Sequence, residues 1–283
     1  MRIAYGGAQP NISSAKLLDL PCFLPSLAEQ KRIVKKIEEL FTNIDIATKN
    51  LQQAQDNLIK FRNSIIRENF KNYKVYKKCL LGDALVYEQP TKYIISSTEY
   101  SDSFSTPVLT PGKSFIKGYT NDKMGIFNKG LPVIIFDDFT TAIQFVNFPF
   151  KVKSSAMKIL HINNKIANIK FLFYYLSQIT KIKGTHKRYW ISEYANKIIE
   201  LPSLSEQEHI VAKIEEEFRK ADILQQKIES ALESAKQLKQ SILKKAFEGK
   251  LVPQDSNDEP ASILLEKIKK GKSKNNKTKR KIQ

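Results

Sequence analysis

Residues 201–216 read Leu-Pro-Ser-Leu-Ser-Glu-Gln-Glu-His-Ile-Val-Ala-Lys-Ile-Glu-Glu, and the chain contains this stretch a second time. Residues 24–39 read Leu-Pro-Ser-Leu-Ala-Glu-Gln-Lys-Arg-Ile-Val-Lys-Lys-Ile-Glu-Glu, at a constant offset of 177 positions. Matches at the same offset continue as far as Phe70 and Phe247. A repeat of this length is the first feature to interpret, because each copy should form the same structural unit.

Both copies open with the signal for the start of a helix. The serine can accept a hydrogen bond from the backbone N–H three residues later, and the glutamate can reach back to the serine's own N–H. The proline before each serine cannot extend a helix backwards. The predicted helix-start residues are Ser26, Glu29, Gln30, Ser203, Glu206 and Gln207.

Apolar residues then follow a heptad pattern, stepping by four and three in alternation. In the first copy they are Ile33, Ile37, Leu40, Ile44, Ala47, Leu51, Ala54, Leu58, Phe61 and Ile65. In the second copy they are Ile210, Ile214, Ala221, Leu224, Ile228, Ala231, Ala235, Leu238 and Ile242, with Glu217 as a polar interruption. A long helix with one narrow apolar stripe is not stable alone in water. We therefore predict that the two copies pair as an antiparallel coiled coil, with dimerisation through the same stripe as the alternative.

The repeat divides the chain into five segments. We predict long helices within residues 24–74 and 201–250, and an α+β globular domain at residues 75–200, where strand-like runs alternate with turns. Residues 1–23 match the region that closes the globular domain before the second copy, so we interpret them as the remnant of a preceding domain. Residues 251–283 should form a short helix followed by a disordered basic tail.

The net charge of +18 favours a polyanionic partner. Residues 267–281 contribute nine basic and no acidic groups, as expected for a tail that binds polyanions without specificity. Residues 76–200 carry a net +8, which must decorate a folded surface and therefore favours nucleic acid. Cys22 and Cys79 have no metal-ligand spacing, and no apolar run approaches 18 residues. These features predict a soluble cytoplasmic protein that does not bind membranes.

Several clusters in the globular domain combine cations with hydroxyl groups, as DNA contacts require. Lysine and serine suit phosphate oxygens, arginine suits the edge of guanine, and threonine can add polar base contacts. A solvated loop is the alternative for each cluster. The candidate DNA-binding residues are Lys113, Ser114, Lys117, Tyr119, Thr140, Thr141, Lys153, Ser154, Ser155, Lys187, Arg188 and Tyr189.

Signals for catalysis are weak. Asp137 and Asp138 follow a strand-like run and can be interpreted either as a metal-dependent nuclease pair or as braces for a turn. The three histidines are scattered and form neither a triad nor a zinc set. We predict no catalytic residues, no metal and no cofactor.

The doubled motif resembles the conserved regions of the specificity (S) subunits of bacterial type I restriction–modification systems. The globular domain is similar to one of their target-recognition domains, through residues 135–141 and 153–158, and residues 246–252 resemble the family's C-terminal region. The resemblance implies that the domain reads one half of a bipartite site in double-stranded DNA. It also implies that methylation (M) subunits dock on the helices and that a motor–nuclease (R) subunit joins through them.

The chain resembles the C-terminal half of such a subunit, because residues 1–23 stand in place of a first target-recognition domain. Our interpretation is a non-catalytic recognition subunit. We add the hypothesis that two copies associate head-to-tail as a homodimer. One alternative is a partial or silent specificity cassette. Another is a coiled-coil scaffold that binds polyanions through its tail without sequence preference.

Overall fold

The computed structural model describes residues 24–71, 73–97, 99–110, 114–179 and 188–279. The predicted domain remnant at residues 1–23 lies outside this part of the chain. The chain divides into two compact units, one formed by Met1–Asn57 with Leu224–Gln283 and the other by Leu58–Ile223.

Two long helices confirm the interpretation of the repeat. The helices of the described chain are α1 (Leu27–Asn69), α2 (Leu81–Ala84), α3 (Ile169–Ile179), α4 (Leu204–Phe247) and α5 (Ala261–Lys279). Helix α5 extends farther than the predicted short helix, over most of the basic run.

Serine caps begin both long helices as predicted. Ser26 Oγ accepts the N–H of Glu29 at 3.0 Å, and Ser203 Oγ accepts the N–H of Glu206 at 3.3 Å. The side chain that reaches back is the glutamine of the motif: its Nε2 donates to the carbonyl of the proline before the serine, at 3.0 Å in both copies. The amide therefore fixes the entry of the chain into each helix.

A glycine turn ends α4. Gly249 adopts a φ of +67°, a left-handed conformation that costs glycine little. The N–H of Lys250 donates to the carbonyl of Lys245 at 2.8 Å, which closes the last turn.

In the first unit, α1 runs antiparallel to the segment that contains α4 and Asp258. In the first unit, Asp45 forms an ion pair with Lys239, while Arg32 pairs with Asp258, which lies beyond the end of α4. In the second unit, Arg62 pairs with Asp222. As residue numbers rise along α1, the numbers of the residues paired with them fall, which confirms the predicted antiparallel pairing.

Burial along the helices follows a narrower stripe than the predicted seam. Residues spaced by multiples of seven are buried: Ile44, Leu58 and Ile65 on α1, and Ile214, Ala221, Ile228 and Ile242 on α4. The other row of the heptad is more exposed and includes Phe61 (45%), Leu224 (48%) and Leu238 (52%). Ile33 and Ile210 of this second row are buried near the helix starts, but much of the apolar surface of the row remains in solvent farther along the helices.

The globular domain is α+β, as predicted. Its strands are β1 (Lys77–Leu80), β2 (Leu85–Glu88), β3 (Thr106–Leu109), β4 (Ile116–Thr120), β5 (Val133–Asp137), β6 (Ile143–Val146), β7 (Lys151–Val152), β8 (Met157–Ile162) and β9 (Ile198–Leu201). An antiparallel sheet has the order β2-β8-β5-β6, a second sheet has the order β4-β3-β7, and β1 pairs with β9.

One hydrophobic core joins the first sheet to the helices. It includes Phe136, Phe171, Trp190 and Ile214, and the rings of Phe136 and Trp190 lie 5.2 Å apart. The backbone N–H of Asn168, just before α3, donates to Gln207 Oε1 at 2.8 Å. The helix-start motif of α4 therefore also holds the globular domain.

A second core lies between the two larger sheets. The rings of Phe127 and Phe150 stack at 4.8 Å. The buried Lys151 pairs with Asp122 at 2.8 Å, and this hydrogen bond holds the pKa of Asp122 well below its usual value. The ion pair compensates the lysine charge that burial would otherwise leave unpaired.

Candidate nucleic-acid interface

One end of the β2-β8-β5-β6 sheet gathers several of the predicted DNA-binding segments. Strand β5 ends at Asp137, which lies opposite Met157 at the start of β8. The turn after β5 and the segment before β8 therefore lie side by side. The N–H of Asp138 donates to the carbonyl of Ala156 at 3.0 Å and joins the two segments.

Asp137 braces the turn between β5 and β6. Its Oδ1 accepts the N–H of Phe139 at 3.0 Å, and its Oδ2 accepts the Thr140 hydroxyl. Its carbonyl accepts the N–H of Thr141 at 2.9 Å, and Thr141 has a φ of +62°. This left-handed residue lets the chain reverse within a short turn. The bracing interpretation thus accounts for the Asp137 carboxylate.

Asp138 brings a third segment to the same place. Its side chain is 2% exposed, and Oδ1 accepts the N–H of Trp190 at 2.8 Å. Its carbonyl accepts the N–H of Tyr189 at 3.0 Å. The segment that begins at Arg188 is therefore anchored on the β5–β6 turn, although the two lie about 50 positions apart in sequence.

The described residues on either side of the gap between β3 and β4 lie beside these segments. The N–H of Lys153 donates to the carbonyl of Leu109, the last residue of β3, at 2.8 Å. Thr110 and Phe115 line the same small cavity as Asp137 and Met157. Ser114, which precedes Phe115, thus belongs to the same end of the domain.

We call the polar residues that reach the surface here the cationic edge. Lys153, Ser155, Arg188 and Ser114 are exposed, whereas Thr140 and Ser154 are half-buried. Segments 114–115, 139–142, 153–156 and 188–190 contain no acidic residue. The cationic edge is defined as Ser114, Thr140, Lys153, Ser154, Ser155 and Arg188. Its exposed charges are those of Lys153 and Arg188, whereas the neighbouring carboxylates of Asp137 and Asp138 are buried, so the edge can attract phosphate.

Other candidates lie elsewhere. Thr141 and Tyr189 are 1% and 4% exposed, so they lie beneath the cationic edge and not on its surface. Lys117 is exposed on β4, and Tyr119 lines an open groove with Pro107. Lys113 and Lys187 lie outside the described residues.

Sequence reasoning missed two residues under the cationic edge. Lys158 is 2% exposed, its Nζ lies 3.5 Å from Asp138 Oδ2, and it donates to Gln89 Oε1. Gln89 Nε2 donates in turn to the carbonyl of Ser155 at 3.1 Å. A lysine within the apolar run Met-Lys-Ile-Leu at residues 157–160 is the signal that could have indicated a buried ion pair, because a buried lysine needs a partner.

Within the described ranges, no group of three or more His, Cys, Asp or Glu side chains is placed to hold a metal ion. His161 instead forms a contact with Glu88 at 2.9 Å. No described helix is long and apolar enough to cross a membrane.

Comparison with known proteins reveals similarity over nearly the whole chain. The family model "Type I restriction modification DNA specificity domain" matches residues 1–56. The EcoR124I/EcoR124II specificity subunit of Escherichia coli is 48% identical over 126 residues, or 43% of this chain and 31% of that protein. The EcoBI specificity subunit of Escherichia coli is 24% identical over 325 residues, or 92% of this chain and 66% of that protein. The chain thus spans less than two thirds of the length of these two curated relatives.

A solved structure shares the fold. It comes from work on complex assembly and conformational transition of a type I R-M system, and it matches with a TM-score of 0.64 and 20% sequence identity. The match covers 87% of this chain and 66% of the other. The arrangement of long helices and sheet domain is therefore one already seen in that protein.

Proposed function

We propose, because the chain is related to the specificity subunits of type I restriction–modification systems, that it is a non-catalytic subunit for DNA sequence recognition. Its globular domain would read one half of a bipartite site in double-stranded DNA. The location proposed for the protein is the cytoplasm, where it has access to DNA.

The observation that carries the proposal is the convergence of separate segments at the cationic edge. Lys153 and Ser155 suit phosphate oxygens, because a lysine neutralises charge and a hydroxyl donates a hydrogen bond. Arg188 is exposed and suits the O6 and N7 atoms of guanine. A surface with both kinds of contact can hold DNA and read part of its sequence.

The two long helices would recruit the other subunits. Their flanking row, represented by Phe61, Leu224 and Leu238, leaves apolar side chains 45–52% exposed. Partner helices could cover such a row, and methylation subunits are the partners that the proposed role requires. The motor–nuclease subunit would join through them, and association of two copies would supply a second half-site.

The first test is assembly followed by selection of DNA. Co-expression with methylation subunits should give one stable complex of defined mass. That complex should then enrich a common sequence from randomised duplexes, and the purified chain should prefer the enriched duplex to a scrambled duplex of equal composition. Failure to bind the subunits, together with equal affinity for both duplexes, would contradict the proposal.

Lys153 offers a test of the surface itself. Lys153→Ala should weaken DNA binding and lower the slope of log affinity against log salt by about 1, because one phosphate contact is lost. The matched control is Lys165→Ala, which removes an exposed lysine beyond the opposite end of β8. Equal effects of the two substitutions would place the DNA elsewhere on the domain.

A further inference from the structure

We infer that Asp138 is a positioning residue that sets the orientation of Arg188, and thereby the base preference of the cationic edge. This inference rests on the proposed function. It concerns a buried carboxylate that touches no DNA itself, since its side chain is 2% exposed.

Asp138 joins three segments of the cationic edge through its backbone and side chain. Its N–H donates to Ala156, its carbonyl accepts from Tyr189, and its Oδ1 accepts from Trp190. The three distances are 3.0, 3.0 and 2.8 Å. One residue therefore fixes the β5–β6 turn, the start of β8 and the segment after Arg188 relative to one another.

A polar chain under the surface extends this linkage to a fourth segment. Lys158 lies 3.5 Å from Asp138 Oδ2 and donates to Gln89, which donates to the carbonyl of Ser155. Buried ion pairs are often no more stabilising than apolar residues of the same volume. The network is therefore not explained by its contribution to stability. It is explained if its role is to hold the segments above it in a fixed orientation.

The geometry makes Arg188 depend on this anchor. Trp190 is fully buried against Phe136, and Tyr189 is 4% exposed, while Arg188 is exposed. The two buried residues therefore fix the backbone from which the Arg188 side chain extends. Productive recognition geometry has a tolerance of about 0.5 Å and 10–20°, so loss of the side-chain part of the anchor should lower discrimination more than it lowers binding.

The test compares two variants at this position in the full chain. Asp138→Ala removes both the acceptor for Trp190 and the charge opposite Lys158, whereas Asp138→Asn keeps an oxygen acceptor. The ratio of affinities for the selected and scrambled duplexes should fall at least tenfold in the Ala variant, because an aligned bidentate contact discriminates by that order. The Asn variant should lose less, and binding of scrambled duplex should change less than about twofold in both.

Trp190 is the single tryptophan of the chain, so its fluorescence reports on the anchored segment. Its emission should shift to the red, with easier quenching by acrylamide, in Asp138→Ala, while far-UV circular dichroism stays unchanged. The matched control is Asp122→Ala, which removes the partner of the buried Lys151. That variant should lose stability but keep the wild-type affinity ratio.

The outcomes separate the inference from the function. Wild-type protein without any preference among duplexes would overturn the proposed function. Wild-type preference that survives unchanged in Asp138→Ala would overturn the inference alone. If Asp138→Ala does not fold because Lys158 is left buried without its partner, the double variant Asp138→Ala with Lys158→Met removes both charges. An unchanged affinity ratio in that double variant overturns the inference, and a lowered ratio supports it.

Discussion

Arg188 lies at the exposed start of the segment that Asp138 anchors, and its chemistry distinguishes two kinds of DNA contact. A guanidinium paired with a guanine edge contributes about 1–3 kcal/mol of discrimination, whereas a phosphate contact carries no sequence information. Arg188→Ala should therefore cost about 1–3 kcal/mol on the selected duplex and relax preference at one base pair. Competition binding assays with duplexes that are changed at one base pair measure both effects.

Arg188→Lys is the matched variant, because it keeps the charge and loses the planar fork of donors. It should retain affinity for scrambled DNA while relaxing preference at the same base pair as the alanine variant. If both variants lose the same affinity for the selected duplex as for the scrambled one, Arg188 contacts a phosphate and not a base.

For single residues, amino-acid type was enough to predict the exposed members of the cationic edge, since lysine and arginine suit DNA wherever they reach the surface, as Lys153 and Arg188 do. The types could not indicate which candidates are buried. Thr141 is 1% exposed within the turn that Asp137 braces, and the ring of Tyr189 belongs to the core. The role of Asp138 depends on partners far away in sequence, which no local pattern reveals.

The repeated helix start allows a prediction at the level of whole elements. Gln207 is fully buried and makes two hydrogen bonds, to the carbonyl of Pro202 and from the N–H of Asn168. Gln207→Ala removes both, and leaving the Asn168 N–H unpaired should cost about 1–3 kcal/mol in the free energy of unfolding. Gln30→Ala, at the matching position of the other copy, should cost less because Gln30 is only half-buried.

Chemical denaturation of the two variants, followed by circular dichroism and Trp190 fluorescence, tests this. Gln207→Ala should lower the midpoint seen by both signals. A larger loss of stability in Gln30→Ala would show that the glutamine serves the helix start alone and not the attachment of the globular domain.

The long elements were predictable because heptads and serine caps are local signals. The sequence does not distinguish the buried row of each heptad from the exposed one. Ile228 and Leu224 are equally apolar, yet they are 4% and 48% exposed. Which row is covered depends on where the other helix lies, and no local pattern in one helix encodes that position.

On the scale of the whole molecule, charge is divided between a folded surface and a terminal run. The globular domain contains the cationic edge, and residues 267–281 supply nine of the positive charges. Composition was sufficient to predict a polyanionic partner. It was not sufficient to separate recognition from general attraction, because both begin with the same phosphate contacts.

Deletion of residues 267–283 separates the two contributions. The truncated chain should bind both selected and scrambled duplexes more weakly, with a lower slope of log affinity against log salt, because fewer phosphates are neutralised. The ratio of the two affinities should remain that of the full chain, since the cationic edge is intact. Titrations at several salt concentrations measure both quantities, and Lys153→Ala in the truncated chain should lower the remaining slope further. If truncation abolishes DNA binding altogether, the terminal run carries the interaction and the chain is a scaffold that binds polyanions without reading them.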